Sequence, residues 1–410
     1  MFLPERRRFT APITFLFLVL PYGISGGFVT VTLPFALTKA GFPVAISAAI
    51  VATAISSNLW RFVAGPVADL TLTLRRWHAI GLVASVVSLC LLTLMPLRQN
   101  VAGALTVVAF LSQVAATLIV LPVGGLMAHT VADDQKGRAA GWYQAGNVGG
   151  SAFGGGAGVW LVSHYSIQIA GVVLALVMLS CGAALYFVPD VRSISGESVR
   201  QRLRGMGSDL RDLVRSPIAL FTIVLIISAA GAGAAGNLWS AVAKDWSASD
   251  DTVALFTGVL SGVVSIVGCV IGGWTADRVG RWWAYLGAST IMAAVAVAMA
   301  LAPRTPAAYG AGVLLYMFSL GLANAAWSAV VLFAIGRGAA ATKYALLSSL
   351  GNLPVVYMTA FDGWVHDRSG AGAMLNAEAA LGLACVGLAL LALWQIKAIR
   401  PATLPQSPPQ

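Results

Sequence analysis

The chain has 410 residues, of which 58% are hydrophobic and only 10% charged. A water-soluble protein of that length covers its outside with far more charge, so the composition excludes one and calls for a bilayer as the outer solvent. The net charge of +10 raises nucleic acid as a partner, but the basic residues stand in short gaps between apolar runs instead of clustering with aromatics on one face, and no nucleic-acid partner is expected.

Glu5 and the three arginines Arg6, Arg7 and Arg8 precede the first apolar run as they would in a signal peptide. That run continues past residue 30 with no small-residue cleavage site, and it reads as a retained first span. A crossing needs about 20 apolar residues. Twelve stretches qualify in chain order: 11–37, 44–64, 77–97, 101–130, 139–162, 166–188, 217–242, 253–274, 282–302, 307–336, 344–364 and 372–395. Two of them, 101–130 and 307–336, are too long for one straight crossing and must tilt or project. Cys90, Cys181, Cys269 and Cys385 each lie alone inside an apolar run and read as small packing residues, not metal ligands.

The polar stretch 189–216 divides the chain. Val199, Leu203, Met206, Leu210 and Leu213 recur there at steps of three and four with Arg and Asp between them. That pattern fits a helix on the inner leaflet with its arginines at anionic headgroups; Gly205 and Gly207 favour a flexible tether instead. With the N-terminus placed in the cytoplasm, 20 of the 25 Lys and Arg fall on the cytoplasmic side, and only Lys39, Arg98, Lys244, Arg304 and Arg368 fall opposite. Basic residues mark the inner side, so both termini are expected inside a cell (inner) membrane. The expected organisation is an all-α protein: a six-helix bundle over 1–188, a cytoplasmic loop over 189–216, a second six-helix bundle over 217–396 and a tail over 397–410. The halves echo each other: Gly65-Pro-Val-Ala-Asp69 follows the second span, and Gly273-Trp-Thr-Ala-Asp277 follows the eighth, 208 residues later.

The segment Gly273-Trp-Thr-Ala-Asp277-Arg278-Val-Gly280-Arg281 resembles the G-x-x-x-D-R-x-G-R signature of the major facilitator superfamily. The first-half copy keeps Gly65 and Asp69 but runs through Leu-Thr-Leu-Thr-Leu before Arg75 and Arg76. Arg61-Phe-Val-Ala-Gly-Pro66-Val-Ala-Asp69 is similar to the K-F-x-x-x-P-x-x-D segment of the branch with muropeptide permeases and acetyl-CoA transporters, with Arg61 in place of Lys. The run from Tyr344 to Leu350 resembles that branch's eleventh span, and siderophore importers are its neighbours. The resemblance implies the twelve-helix major facilitator fold. It also implies a secondary or facilitative carrier working by alternating access for a small organic solute, which Arg61 and the branch lean toward the anionic. It places Asp69 against the start of span eleven and Asp277 against the start of span five, with Gly65, Gly273, Arg278 and Arg281 in the same gating loops. No cofactor is expected, and a monomer with membrane lipids around it suffices.

Polar and aromatic residues within the spans are the cavity candidates: Tyr22, Arg61, Gln113, Tyr143, Asn147, Asn237, Asn324, Trp327 and Asn352, with Gln144 and Trp239 beside them. Glu378, the deepest acid, is the first candidate to carry a proton, and Asp362, expected as a rim residue near the outer end of span eleven, is the second. Gly146, Gly150, Gly154 and Gly158 make a small-residue stripe on span five, as Ser261, Ser265, Cys269 and Gly273 do on span eight; the resemblance implies that these two spans face each other across the halves. Two other functions stay open. His129 and Asp134 have the H-x-x-x-x-D spacing of some membrane acyltransferases, and a transporter fold can serve as a membrane sensor. The G-x-x-x-x-G-K-[ST] phosphate loop does not occur.

Reporter fusions at Gln410 and within 189–216 should both read the cytoplasmic side. A reading from the other side at either place would remove the orientation drawn from the basic residues.

Overall fold

A computed structural model describes residues 9–191, 208, 211, 215, 217–335 and 340–399. Twelve helical segments cross the fold. The first half is α1 (Thr14–Lys39), α2 (44–70), α3 (Leu74–Leu94), α4 (Gln99–Thr130), α5 (Lys136–His164) and α6 (Ile167–Phe187). The second half is α7 (217–246), α8 (Asp251–Val279), α9 (Arg281–Leu301), α10 (Pro306–Ile335), α11 (340–369) and α12 (371–399). The helix or tether expected over 189–216 lies, apart from 189–191 and three isolated positions, outside the described residues, as do residues 1–8 and 400–410.

Among the described residues, eight helical stretches are long and apolar enough to cross a membrane by length and composition alone. One of them, Ala340–Gln395, holds both α11 and α12, which part at Gly370 where φ is 77°. Three segments are left over. α2 is interrupted at Ser56 between Val44–Ile55 and Ser57–Leu70. α5 carries nine glycines in 29 residues. α7 leaves helical geometry after Ile226, passes through Gly231 (φ 68°) and Gly233 (φ 65°), and resumes as short 3-10 and helical turns. Irregular backbone at membrane depth survives only where protein or a water-filled cavity satisfies it, so α2 and α7 already point to the interior of the molecule, while α5 is a continuous helix whose glycines let neighbouring backbones come close.

The distribution of the core gives the shape. One buried cluster draws on both halves: Phe15, Val131, Ala139 and Tyr143 pack in the same body of side chains as Ala276, Ile335, Ala340 and Tyr344. This is the end that gathers Arg75, Arg76, Lys136, Arg138, Arg278, Arg281 and Lys343, and it is called the basic end below. Toward the opposite end the cores are separate. One contains only first-half residues such as Phe28, Leu89 and Leu174, and the other only second-half residues such as Trp239, Tyr309 and Met374. The halves are fused at the basic end and splay apart beyond it.

The glycine stripe on α5 faces elsewhere than expected. A Cβ at Gly146, Gly150 or Gly154 would meet the backbone of Leu16, Leu20 or Ile24, all on α1, and one at Gly158 would meet Thr32. These glycines seat α1 against α5 inside the first half. The seam to α8 uses the neighbouring face, where Gly137 and Gly141 approach Cys269 and Gly273 backbone to backbone, and Gly149 meets Ile266. On α8, Ser265 turns to α10, where its hydroxyl donates to the Met317 carbonyl at 3.0 Å. A helix has several small-residue faces, and sequence spacing alone does not say which neighbour each one meets.

Gly150→Leu should therefore damage folding by driving α1 off α5, a backbone clash worth at least the ~1–3 kcal/mol of ordinary overpacking. Gly156, on the same helix, has nothing within 4 Å of its Cβ position, and Gly156→Leu should be silent. Membrane abundance and thermal stability of the two purified variants check this; equal behaviour would place the stripe against lipid.

Candidate functional site

Between the fused end and the splayed end lies a cavity of about 540 Å³. Its walls come from α1, α2 and α5 of one half and α7, α9, α10 and α11 of the other. The irregular parts of α2 (Ala52 to Arg61) and α7 (Ile226 to Ala232) both face it, as does α11 around Gly351 and Asn352, where that helix also turns. Seven of the nine cavity candidates line this one space: Tyr22, Arg61, Tyr143, Asn147, Asn324, Trp327 and Asn352. Gln113 and Asn237 lie outside it. Gln113 is buried and donates to the Ser25 carbonyl and hydroxyl at 3.2 and 3.0 Å, a bond between α4 and α1. Asn237 donates to the Thr359 hydroxyl at 3.0 Å in an exposed position.

Arg61 is the only charged side chain among the described residues of the lining. Its Nε is buried without a hydrogen-bond partner among the described residues. The sequence allowed it to snorkel to the membrane surface or to reach a solute, and the structure turns it into the cavity. Around it are neutral groups that give and take hydrogen bonds. The Tyr22 hydroxyl donates to Asn58 Oδ1 at 2.8 Å, and Gln144 Nε2 donates to the Ser328 hydroxyl at 2.8 Å across the two halves. Asn58, Ser348 and Tyr285 also line the space and were not singled out from sequence. Asn58 had a usable signal, because it stands three residues before Arg61 on the same helical face.

Two carboxylates close the basic end, each on the first turn of a helix from the other half. Asp69 Oδ2, at the end of α2, accepts from the Thr342 N–H at 2.8 Å and the Thr342 hydroxyl at 2.7 Å in α11. Asp277, near the end of α8, accepts from the Gly137 N–H at 2.6 Å, the Arg138 N–H at 2.9 Å and Arg138 Nε at 3.0 Å in α5. The first N–H groups of a helix have no internal partner and carry the positive end of the helix dipole. The close approach demands glycine: a Cβ on Gly137 would strike Asp277, and one on Gly65 would strike Thr342. Gly273 meets Gly137 and Gly141 in the same way. Among the described residues Arg278 and Arg281 make no salt bridge to Asp277, though Arg281 lies within electrostatic reach of it. They stack over Trp274 and Phe333 at 4.3 and 3.9 Å from the ring centroids, which leaves Arg138 as the partner.

The two proton candidates meet in the second half. Asp362 is fully buried rather than at a rim, because α11 turns it inward, and neither of its oxygens has a hydrogen-bond partner among the described residues. Glu378 on α12 is 6% exposed and lies within electrostatic reach of Asp362. Its Oε1 accepts from the Tyr316 hydroxyl at 2.6 Å and from the Ala234 and Ala235 N–H groups at 2.9 and 3.4 Å. His129, by contrast, sets its Nδ1 at 2.7 Å from the Gly125 carbonyl on its own helix and not toward Asp134.

Two helical bundles joined at one end around a polar cavity define a membrane carrier. The model of the Major Facilitator Superfamily matches residues 13–359, and the chain belongs to that superfamily. No curated protein sequence matches it. Solved structures share the fold. The human organic anion transporter MFSD10 is 16% identical over 95% of this chain and 100% of its own, with a TM-score of 0.71. The proton:xylose symporter XylE is 14% identical over 94% and 95%, with a TM-score of 0.68. The E. coli fucose:proton symporter FucP is 12% identical over 92% and 97%, with a TM-score of 0.69. The protein is thus a solute transporter of the alternating-access type and not an enzyme.

Charge-assisted hydrogen bonds contribute roughly 1.5–3 kcal/mol each. Asp277→Asn should loosen the basic end and shift the population toward cavities open there. Labelling of a cysteine at Asn352, in a background without the native cysteines, by a reagent added from the opposite side should then slow roughly tenfold. Unchanged labelling would show that the shared core closes this end unaided.

Proposed function

We propose that the transported solute is a small organic anion with an apolar part, read by Arg61. The observation that carries this is a cation with no ion pair or hydrogen bond among the described residues, set in a lining that is otherwise uncharged. An unpaired charge in a partly dry site is costly, and an anionic solute removes that cost when it binds. The rest of the lining supplies orientation. Tyr22, Asn58, Tyr143, Asn147, Asn324 and Asn352 offer neutral polar groups, while Trp327, Ile55 and Val355 offer apolar wall.

The basic residues support a placement in the cell membrane with both termini and the basic end in the cytoplasm. The cavity then faces outward in this conformation, and rocking of the halves about the α5–α8 seam exposes it inward. Arg61, Pro66 and Asp69, spaced as in the branch of muropeptide permeases and acetyl-CoA transporters, support membership of that branch. The same residues serve two tasks on one helix: Arg61 faces the solute, and Asp69, two turns on, holds the neighbouring half. Solute charge and closure are thereby linked through α2.

Proteoliposomes with the full chain should take up radiolabelled mono- and dicarboxylates or amphipathic sulfonates in preference to matched neutral and cationic compounds. Arg61→Gln should raise the KM for such an anion at least tenfold, with normal abundance, because a charged hydrogen bond of roughly 1.5–3 kcal/mol is lost. Arg61→Lys should keep the charge and lose part of the affinity, since a guanidinium matches a carboxylate with two bonds and an ammonium does not. Preference for a neutral solute, unaffected by Arg61→Gln, would overturn the reading.

A further inference from the structure

Glu378, Asp362 and Tyr316 lie outside the solute cavity, in the core of the second half. Two carboxyl groups are buried there, and three of their four oxygens differ from ordinary buried polar atoms: both of Asp362 and Oε2 of Glu378 have no partner among the described residues. No Lys, Arg or His among the described residues forms an ion pair with either acid. Among the described residues, the titratable group on them is Tyr316 of α10, while Tyr285 of α9 turns its hydroxyl to the Ala230 carbonyl; α7 brings the Ala234 and Ala235 N–H groups to Glu378 and the Trp239 ring edge-on to Tyr316. Two unpaired charges in such a place would cost several kcal/mol each, so the pair favours uptake of a cation.

The space available selects which one. Beside Glu378 is a void of about 10 Å³, room for about one water. Its other walls are Met292, Ala293, Ala296 and Gly382, with Ser289 the only neighbouring hydroxyl apart from Tyr316. A space for one water has no room for a metal ion that keeps part of its hydration shell, and no group of three or more His, Cys, Asp or Glu comes together among the described residues; a proton needs one carboxylate oxygen. Gly231 borders both this void and the solute cavity, so the break in α7 is the wall between them.

The same break is held by Glu378. The 3-10 turn after Gly233 starts with unsatisfied N–H groups, and those of Ala234 and Ala235 both point to Glu378 Oε1. A carboxylate accepts such bonds roughly twice as strongly as a neutral carboxyl group.

We propose that Glu378 and Asp362 form a site for one exchangeable proton, and that its occupancy sets how firmly the broken segment of α7, one wall of the solute cavity, is held. The proton comes from water reaching the void past Gly231. It forms one O–H bond on a carboxylate oxygen and leaves by the reverse step, with no other bond changed. With the pair fully charged, Glu378 grips the Ala234 and Ala235 N–H groups. With the proton shared onto Glu378, the grip weakens and the segment moves more freely. The proposal rests on the carrier reading above but not on the identity of the solute, so it is tested without one.

The full chain in lipid nanodiscs, with no solute, is followed by two measurements across pH. Infrared difference spectra should show a buried carboxyl C=O band that comes and goes with pH and is lost in Glu378→Gln/Asp362→Asn. Hydrogen exchange of a peptide covering 230–237, normalised to intrinsic rates, should change about fivefold over the same pH interval as the band. In Glu378→Gln that exchange should be fast and independent of pH. Asp362→Asn, which leaves the α7 contacts untouched, should move the midpoint of both signals together. Should Glu378→Gln fail to fold, the shared midpoint in wild type and its displacement in Asp362→Asn still decide. The proposal is overturned by a band that survives the double variant, by exchange that ignores pH in wild type, or by exchange that follows sodium at fixed pH. A failed anion preference with these signals intact would sink the solute reading alone.

Discussion

A helix starts with backbone N–H groups that nothing within the helix can satisfy. In this protein two of those starts, on α5 and α11, are completed by carboxylates from the other half of the chain. The halves are thereby joined where each helix is most electropositive, and the glycines at 65, 137 and 273 let the backbones come close enough for it. Much of the architecture follows. The large shared core lies at that end, a small one of Ala145, Cys269 and Ala325 continues it along the α5–α8 seam, and the opposite ends keep cores of their own. Hydrogen bonds with a charged partner are strong enough to hold a closed state and, being few, can be released.

Irregular backbone is the second organising feature. A bilayer tolerates a broken helix only where something other than lipid satisfies the freed groups. α2, α7 and α11 break at the level of the cavity, and α7 is repaired by a side chain. The chain uses one chemistry twice: a carboxylate accepting backbone N–H groups. At the basic end Asp277 sits beside the partly exposed Arg138 and works as a clamp between halves. In the second half Glu378 sits among apolar residues with Asp362 close by, and the same contact becomes sensitive to charge. Environment, not residue type, separates the two roles.

The number of spans, their order and the fold family could be read from the chain because they rest on local quantities: twenty apolar residues in a row, and a nine-residue signature at Gly273 to Arg281. The partners of Asp69 and Asp277 came from the family resemblance, not from the residues themselves. Most cavity residues could be found as polar or aromatic groups at odds with an apolar span, since a bilayer makes such residues conspicuous. The breaks in α2 and α7 were hidden because their composition stays apolar, and a hydropathy pattern does not register φ and ψ.

What the sequence could not decide was which way each helix turns. The α5 glycines were legible as a stripe, but that they face α1 is a matter of helix rotation within the bundle. The same rotation takes Gln113 into a bond with α1 and carries Asp362 from an expected rim into the core. It also brings Tyr316, with no mark in the sequence, onto Glu378. Length and composition fix whether a segment enters the membrane, because the solvent acts on the whole segment. Orientation about the helix axis is fixed by contacts among residues far apart in the chain, and those exist only once all twelve helices are packed.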